Sequence, residues 1–192
     1  MPIQIGADVH NFSDPTGLLS DCHRRIEMFL GSLEAVAKVI DSSWSDETAR
    51  ALKAALRYFR EAAPKHTADE EESLFPRLRQ VQDPEVQSAL DQLDRLEKDH
   101  RWADPLHAEV ERLGLQYLST GTLSPDESEA FRKAVAELSS MYRQHIIVED
   151  GLVFPVAARL LSQADRISIA KEMAARRDVQ QVTDISSARN LG

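Results

Sequence analysis

Apolar residues recur along this chain at the three- and four-residue spacing of a helix face, and no stretch alternates in the manner of a strand. The first stripe reads Leu19, His23, Ile26, Leu30, Leu33, Ala37 and Ile40, and the second Leu52, Leu56, Phe59, Ala63, His66 and Glu70. The third is Leu93, Leu96, His100, Ala103, His107 and Val110; the fourth is Phe131, Val135, Leu138, Tyr142, His145, Glu149, Leu152 and Val156. Local signals set the ends. Asp14 before Pro15 is an N-cap with proline at the first helical position, opening a helix to about Ile40. Ser45 can cap a second helix that reaches about Val81, and Gln82, Asp83 and Pro84 turn the chain into a third, which fades between Gly114 and Gly121. Ser124-Pro125-Asp126-Glu127 is a capping box that starts the fourth helix, and Ser162 begins a shorter fifth through about Arg177.

Four amphipathic helices with short connections predict an all-α fold, an antiparallel up-down-up-down four-helix bundle over residues 14–161. An N-terminal arm (1–13) precedes it; a C-terminal helix (162–178) and an aperiodic tail (179–192) follow. The 192 residues suffice for a proper core, and seven glycines and eight prolines agree with a helical chain. A net charge of −9 with no Lys/Arg-rich run argues against nucleic acid as a partner. No apolar run approaches the ~20 residues that span a bilayer, and the start lacks a basic and apolar leader, so no membrane partner and a cytoplasmic location are expected. One cysteine, Cys22, excludes an intrachain disulfide and any cysteine-clustered metal site. Cys22 is read as a packed thiol and His10 as part of the arm.

Each of the four stripes carries a histidine on its inward face. One such histidine alone is ordinarily a core residue bonded to a carbonyl, and His-x3-Glu is often a simple i,i+4 pair. Glu70 and Glu149 change the balance, because an unpaired carboxylate on a buried stripe costs several kcal/mol or must be neutralised. Several histidines and two carboxylates at one level of a core point to a cation between them. Internal repetition sharpens this. HTADEEESLFP (66–76) and HIIVEDGLVFP (145–155) share one pattern, and DCHRR (21–25) is echoed by KDHRW (98–102). His23 to His100 spans 77 residues and His66 to His145 spans 79, so the chain reads as a helical hairpin written twice. Folded about a pseudo-twofold axis, it presents two facing sets of two histidines and a carboxylate, suited to two metal ions. Imidazole and carboxylate donors favour iron or manganese, with zinc as an adventitious occupant. Bridging glutamates would hold such ions about 3.5–4 Å apart, where one small ligand such as dioxygen, peroxide or nitric oxide contacts both.

His23, His66-x3-Glu70, His100 and His145-x3-Glu149 on successive helices resemble the hemerythrin-like family, specifically its His-His-Glu cation-binding domains, over roughly residues 18–160. The resemblance implies a non-haem di-iron centre in a helical bundle, with His23 and His66 on one iron, His100 and His145 on the other, and Glu70 and Glu149 shared. It departs from the oxygen-carrying members on the third helix, where Asp104 stands four residues after His100 and the next histidine is His107. His107 lies two turns, about 10.5 Å along an ideal axis, from His100; Pro105 between them could distort the helix enough to make it a ligand. His107 is therefore carried as a candidate ligand, with hydrogen bonding behind the ligands or core packing as alternatives. Glu97, Asp104 and Tyr142 are candidates for the surroundings of the centre, and Glu71 and Asp150 for solvated or outer acids. Pro64, Pro76 and Pro155 are expected to kink the helices near the ligands. Functionally this reads as a metal protein that binds or reacts with a small oxidant, through oxygen sensing or storage, or through peroxidase, catalase-like or nitric-oxide-reducing turnover. The alternatives are iron handling, with the metal as cargo, and a metal-free interaction module.

Overall fold

The computed structural model describes residues 12–42 and 44–179; His10, most of the arm and nearly all of the tail lie outside the described residues. Asp14 accepts a hydrogen bond from Gly17 N at 3.0 Å and opens α1 (Pro15–Val39). Ser45 accepts from Thr48 N and opens α2 (Asp46–Glu61). The chain continues through α3 (Ala63–Ala68), a π-helical turn (Asp69–Leu74) and α4 (Phe75–Leu78). The second rod therefore stops at Leu78, short of Val81, because its last bonds tighten to three-residue spacing, Gln80 N to Arg77 O and Val81 N to Leu78 O.

A 3₁₀ turn (Pro84–Val86) leads into α5 (Gln87–Thr120), which runs through Pro105 and does not fade at Gly114. Gly114 is a packing residue: a Cβ there would lie 2.8 Å from a methyl of Leu56, so its absence lets α5 close onto α2. Gly121, at φ +77°, supplies the left-handed cap that ends the helix. The capping box at Ser124 starts α6 (Pro125–Val148), followed by a second π-helical turn (Glu149–Val153), α7 (Phe154–Leu160) and α8 (Gln163–Ala175). Each π turn ends directly before a Phe-Pro pair, Phe75-Pro76 or Phe154-Pro155. Proline donates no hydrogen bond and its ring crowds the carbonyl four residues back, which a widened turn relieves.

The assembly is a helical bundle without strands among the described residues. α1 packs on α2 and α6, and α5 packs on the same two. Their inward faces build two apolar clusters. One gathers Ile26, Leu33, Leu52, Leu113, Phe131 and Leu138; the other gathers Leu19, Leu74, Phe75, Leu96, Val153 and Phe154. On α1 the boundary between clusters falls between Leu19 and Ile26, and on α5 between Leu96 and Ala103. His23 and His100 occupy those gaps, so a polar layer divides the core. α8 packs against α1 and the first π turn, and its Ile169 and Met173 extend the second cluster. No helix among the described residues is long and apolar enough to cross a membrane.

Candidate metal centre

The dividing layer receives one histidine from each rod: His23 from α1, His66 from α3, His100 from α5 and His145 from α6, all buried. Glu70, in the first π turn, and Glu149, which opens the second, stand at 0% exposure. Each helical repeat places its histidine and glutamate one turn apart, so both reach the same level. His66 Nε2 is 3.2 Å from Glu70 Oε1, and His145 Nε2 is 3.1 Å from Glu149 Oε2. The first helix of each half crosses over: His23 Nε2 is 3.1 Å from Glu149 and 3.8 Å from Glu70, and His100 Nε2 is 3.5 Å from Glu70. Two groups of donor atoms result, each lying within 4.8 Å of one another. One is His23, His66, Glu70 and Glu149; the other is His100, His145, Glu70 and Glu149. Both carboxylates belong to both groups.

These residues fit a metal cation on grounds internal to the fold. All four carboxylate oxygens of Glu70 and Glu149 are buried without a hydrogen-bond partner among the described residues, a situation native cores avoid unless something positive lies between. His100 Nδ1 donates to Glu71 at 2.7 Å and His145 Nδ1 faces Asp99 at 3.4 Å. The two Nε2 atoms lie 3.1 Å apart and both turn toward the shared carboxylates, His100 toward Glu70 and His145 toward Glu149. His23 Nδ1 likewise donates to Asp150 at 3.0 Å, and Asp150 also accepts from Ser20. Three of the four imidazoles are thus held by carboxylates that fix ring orientation and raise ligand basicity. His66 Nδ1 has no such partner among the described residues.

Electrostatics follow this geometry. Burial opposes charge on His23, but the Asp150, Glu149 and Glu70 carboxylates outweigh it and push the imidazole up to about 12. Burial and the neighbouring His23 charge drive His66 well below its usual range. Burial, then the facing Glu149 charge, raises Glu70. Burial works the same way on Glu149, yet the His145 and His23 imidazoles, each 3.1 Å away, hold it low. Without metal, one proton on His23 and the charge on Glu149 balance each other.

The candidates drawn from sequence divide clearly in space. His23, His66, Glu70, His100, His145 and Glu149 converge; His107 belongs to neither donor group. Pro105 leaves α5 helical, so the two-turn separation from His100 persists; His107 Nε2 instead shares a 2.9 Å hydrogen bond with Tyr142 Oη and packs on Phe59. Tyr142 and Asp104 do stand beside the centre, lining with His107, Thr67, Glu71 and His100 a cavity of about 240 Å³. Glu97 binds Arg79 at 2.8 Å on the outside. Cys22 is a buried free thiol.

Sequence reasoning missed Asp99, and it missed the anchoring of the first π turn. Asp69, fully buried beside Glu70, is gripped by Arg176 at 2.9 Å and Arg177 at 2.6 Å, just past the end of α8. Arg176 also donates to Ser73, and Arg77 binds Glu172 of α8 at 2.7 Å. A signal for the outer acids did exist: an acid follows the glutamate in both repeats, and Glu71 and Asp150 serve the equivalent histidines His100 and His23. Nothing in the local pattern pairs Asp69 with residues more than a hundred positions away.

Comparison with known proteins agrees with this geometry. The model of a family described as the hemerythrin HHE cation binding domain matches residues 14–157. A protein of Haemophilus influenzae described as an uncharacterized protein is 27% identical over 171 residues, covering 88% of this chain and 94% of that one.

Proposed function

The chain belongs to the hemerythrin HHE cation-binding family, and on that premise we propose that it is a di-iron protein whose centre binds or reduces a small oxidant. The observation that carries this reading is the pair of donor groups that share both Glu70 and Glu149. In it, His23 and His66 would hold one ion and His100 and His145 the other, with Glu70 and Glu149 available to both, inside an up-down-up-down four-helix bundle. When bound, the ions supply electrons and open coordination positions for dioxygen, peroxide or nitric oxide. The protein's own residues do the rest. Asp150, Glu71 and Asp99 keep three imidazoles turned inward, and the two apolar clusters exclude water from above and below. The cavity lined by His100 and Tyr142 gives a small oxidant room beside the donor groups.

The test is to load the protein with ferrous iron without air, measure iron per chain, and record the near-ultraviolet and visible spectrum as oxygen is added and removed. Two irons per chain and a band that follows oxygen reversibly support carriage or sensing. A band that forms once and stays sinks reversible binding and leaves peroxide or nitric oxide turnover as the reaction to assay. Iron that binds with no spectral or redox response to any of the three oxidants overturns the oxidant reading and leaves iron as cargo.

A further inference from the structure

A second concave site lies apart from the metal layer. It is a groove of about 570 Å³ between α2 and the end of α5, within the size range of small-molecule sites. Ala49, Leu56 and Leu118 form its floor, and Leu115 forms one wall at 47% exposure. Trp44, 42% exposed and held 5.3 Å from the Tyr117 ring, closes one end. Gly114 makes the site possible, since it lets α5 approach Leu56 closely enough to share a floor with α2.

The rim is basic. Arg50, Lys53 and Arg57 recur at helical spacing along one edge, exposed, and none forms an ion pair among the described residues; Arg60, the next in the row, is already held by Glu111 and Glu61. Three unpaired cations over an apolar floor are out of keeping with a chain of net charge −9. Screening decides what they attract. At physiological salt a charge acts over about 8 Å, so a small anion in the groove senses the local cations. An extended polyanion would also run across the acidic remainder and be repelled. Asp46 lines the Trp44 end, which directs a negative head group toward Lys53 and Arg57 and an apolar body toward the tryptophan.

We infer that this groove binds an amphipathic organic anion, of the class of medium- or long-chain carboxylates, with its carboxylate on Lys53 and Arg57 and its chain on Leu56, Leu118 and Trp44. The groove shares no lining residue with either donor group or with the cavity beside His100.

Trp44 is a built-in reporter. The chain has two tryptophans, and Trp102 lies outside the groove, so full-length Trp102→Phe isolates the signal. Dodecanoate titrated into that protein, below its micellar concentration, is expected to change Trp44 emission saturably. Its midpoint should lie at least tenfold below that of dodecanol, and dodecyltrimethylammonium should be weaker still. Adding Lys53→Glu and Arg57→Glu should raise the dodecanoate midpoint at least tenfold with helicity and metal per chain unchanged. If that variant misfolds, Ala49→Phe, which fills the floor without altering charge, should abolish the response. Equal midpoints for acid and alcohol, binding unaffected by charge reversal or by filling, or no binding by equilibrium dialysis would each overturn the inference.

Discussion

At the scale of single residues, the two shared carboxylates are not equivalent despite their equivalent sequence positions. Glu149 lies 3.1 Å from both the charged His23 and the His145 imidazole, whereas burial and the Glu149 charge work against the Glu70 anion. Glu70→Gln is therefore expected to leave the stability of the metal-free protein nearly unchanged near neutral pH, where the buried Glu70 carboxyl already holds its proton, while metal affinity falls at least a hundredfold. Glu149→Gln should lose metal to a similar extent but destabilise the metal-free fold, because it strips His23 of its counter-charge. Chemical denaturation with metal binding on both variants checks the contrast. His107 offers a pH test away from the donor groups. Burial lowers it from 6.5 to about 4, so between those values the unfolded chain binds a proton that the folded one does not. Stability contributed by neutral His107 is thus present above pH 6.5 and is lost as pH falls toward 4. The loss is on the order of 2–3 kcal/mol after allowance for its partial exposure. His107→Gln, which can still bond Tyr142, should flatten that part of the pH–stability curve relative to the parent protein.

At the scale of elements, the π turns explain how one helix delivers a histidine and a glutamate to the same level and then passes a proline. Widening by one residue at 69–74 and 149–153 changes the facing of everything that follows, so the apolar side of α4 and α7 meets the second cluster. The first turn is also anchored through Asp69, which adjoins Glu70 and is held by Arg176 and Arg177 just past α8. Paired Arg176→Met and Arg177→Met substitutions leave Asp69 buried without its cations. They are expected to cost about 3 kcal/mol or more of stability and to alter the spectrum of the metal-loaded centre. Arg176→Lys with Arg177→Lys should restore much of both. An unchanged spectrum in the methionine variant would mean that α8 supports the fold without positioning Glu70.

At the scale of the whole molecule, a polar layer between two apolar clusters leaves stability dependent on the cation. Metal that binds only the folded chain stabilises it by about 4 kcal/mol at a thousand times its Kd, or on the order of 10 °C in Tm for a chain of this size. Chelation should reverse the shift, and a Tm indifferent to metal would contradict the reading of Glu70 and Glu149 as ligands. Much of this plan was legible in the sequence, because it is written in local periodicity. Stripes of Leu, Ile and Val at helical spacing mark the rods, Asp14, Ser45 and Ser124 mark their starts, and the doubled His-x3-Glu marks a shared level. Other features depend on neighbours remote in the chain. That Gly114 is a packing residue and not a helix end depends on Leu56 lying opposite. That His107 bonds Tyr142 depends on α5 staying helical through Pro105, a choice made by the packing on either side. By itself, then, the sequence determined the helical rods, their caps and the six His and Glu residues that converge at one level, since short-range hydrogen bonding and burial specify these turn by turn. Only the tertiary structure decided which acid holds which imidazole, that α8 grips Asp69, and that α2 and α5 enclose a basic-rimmed groove, because each of these is a distance between residues the chain itself keeps far apart.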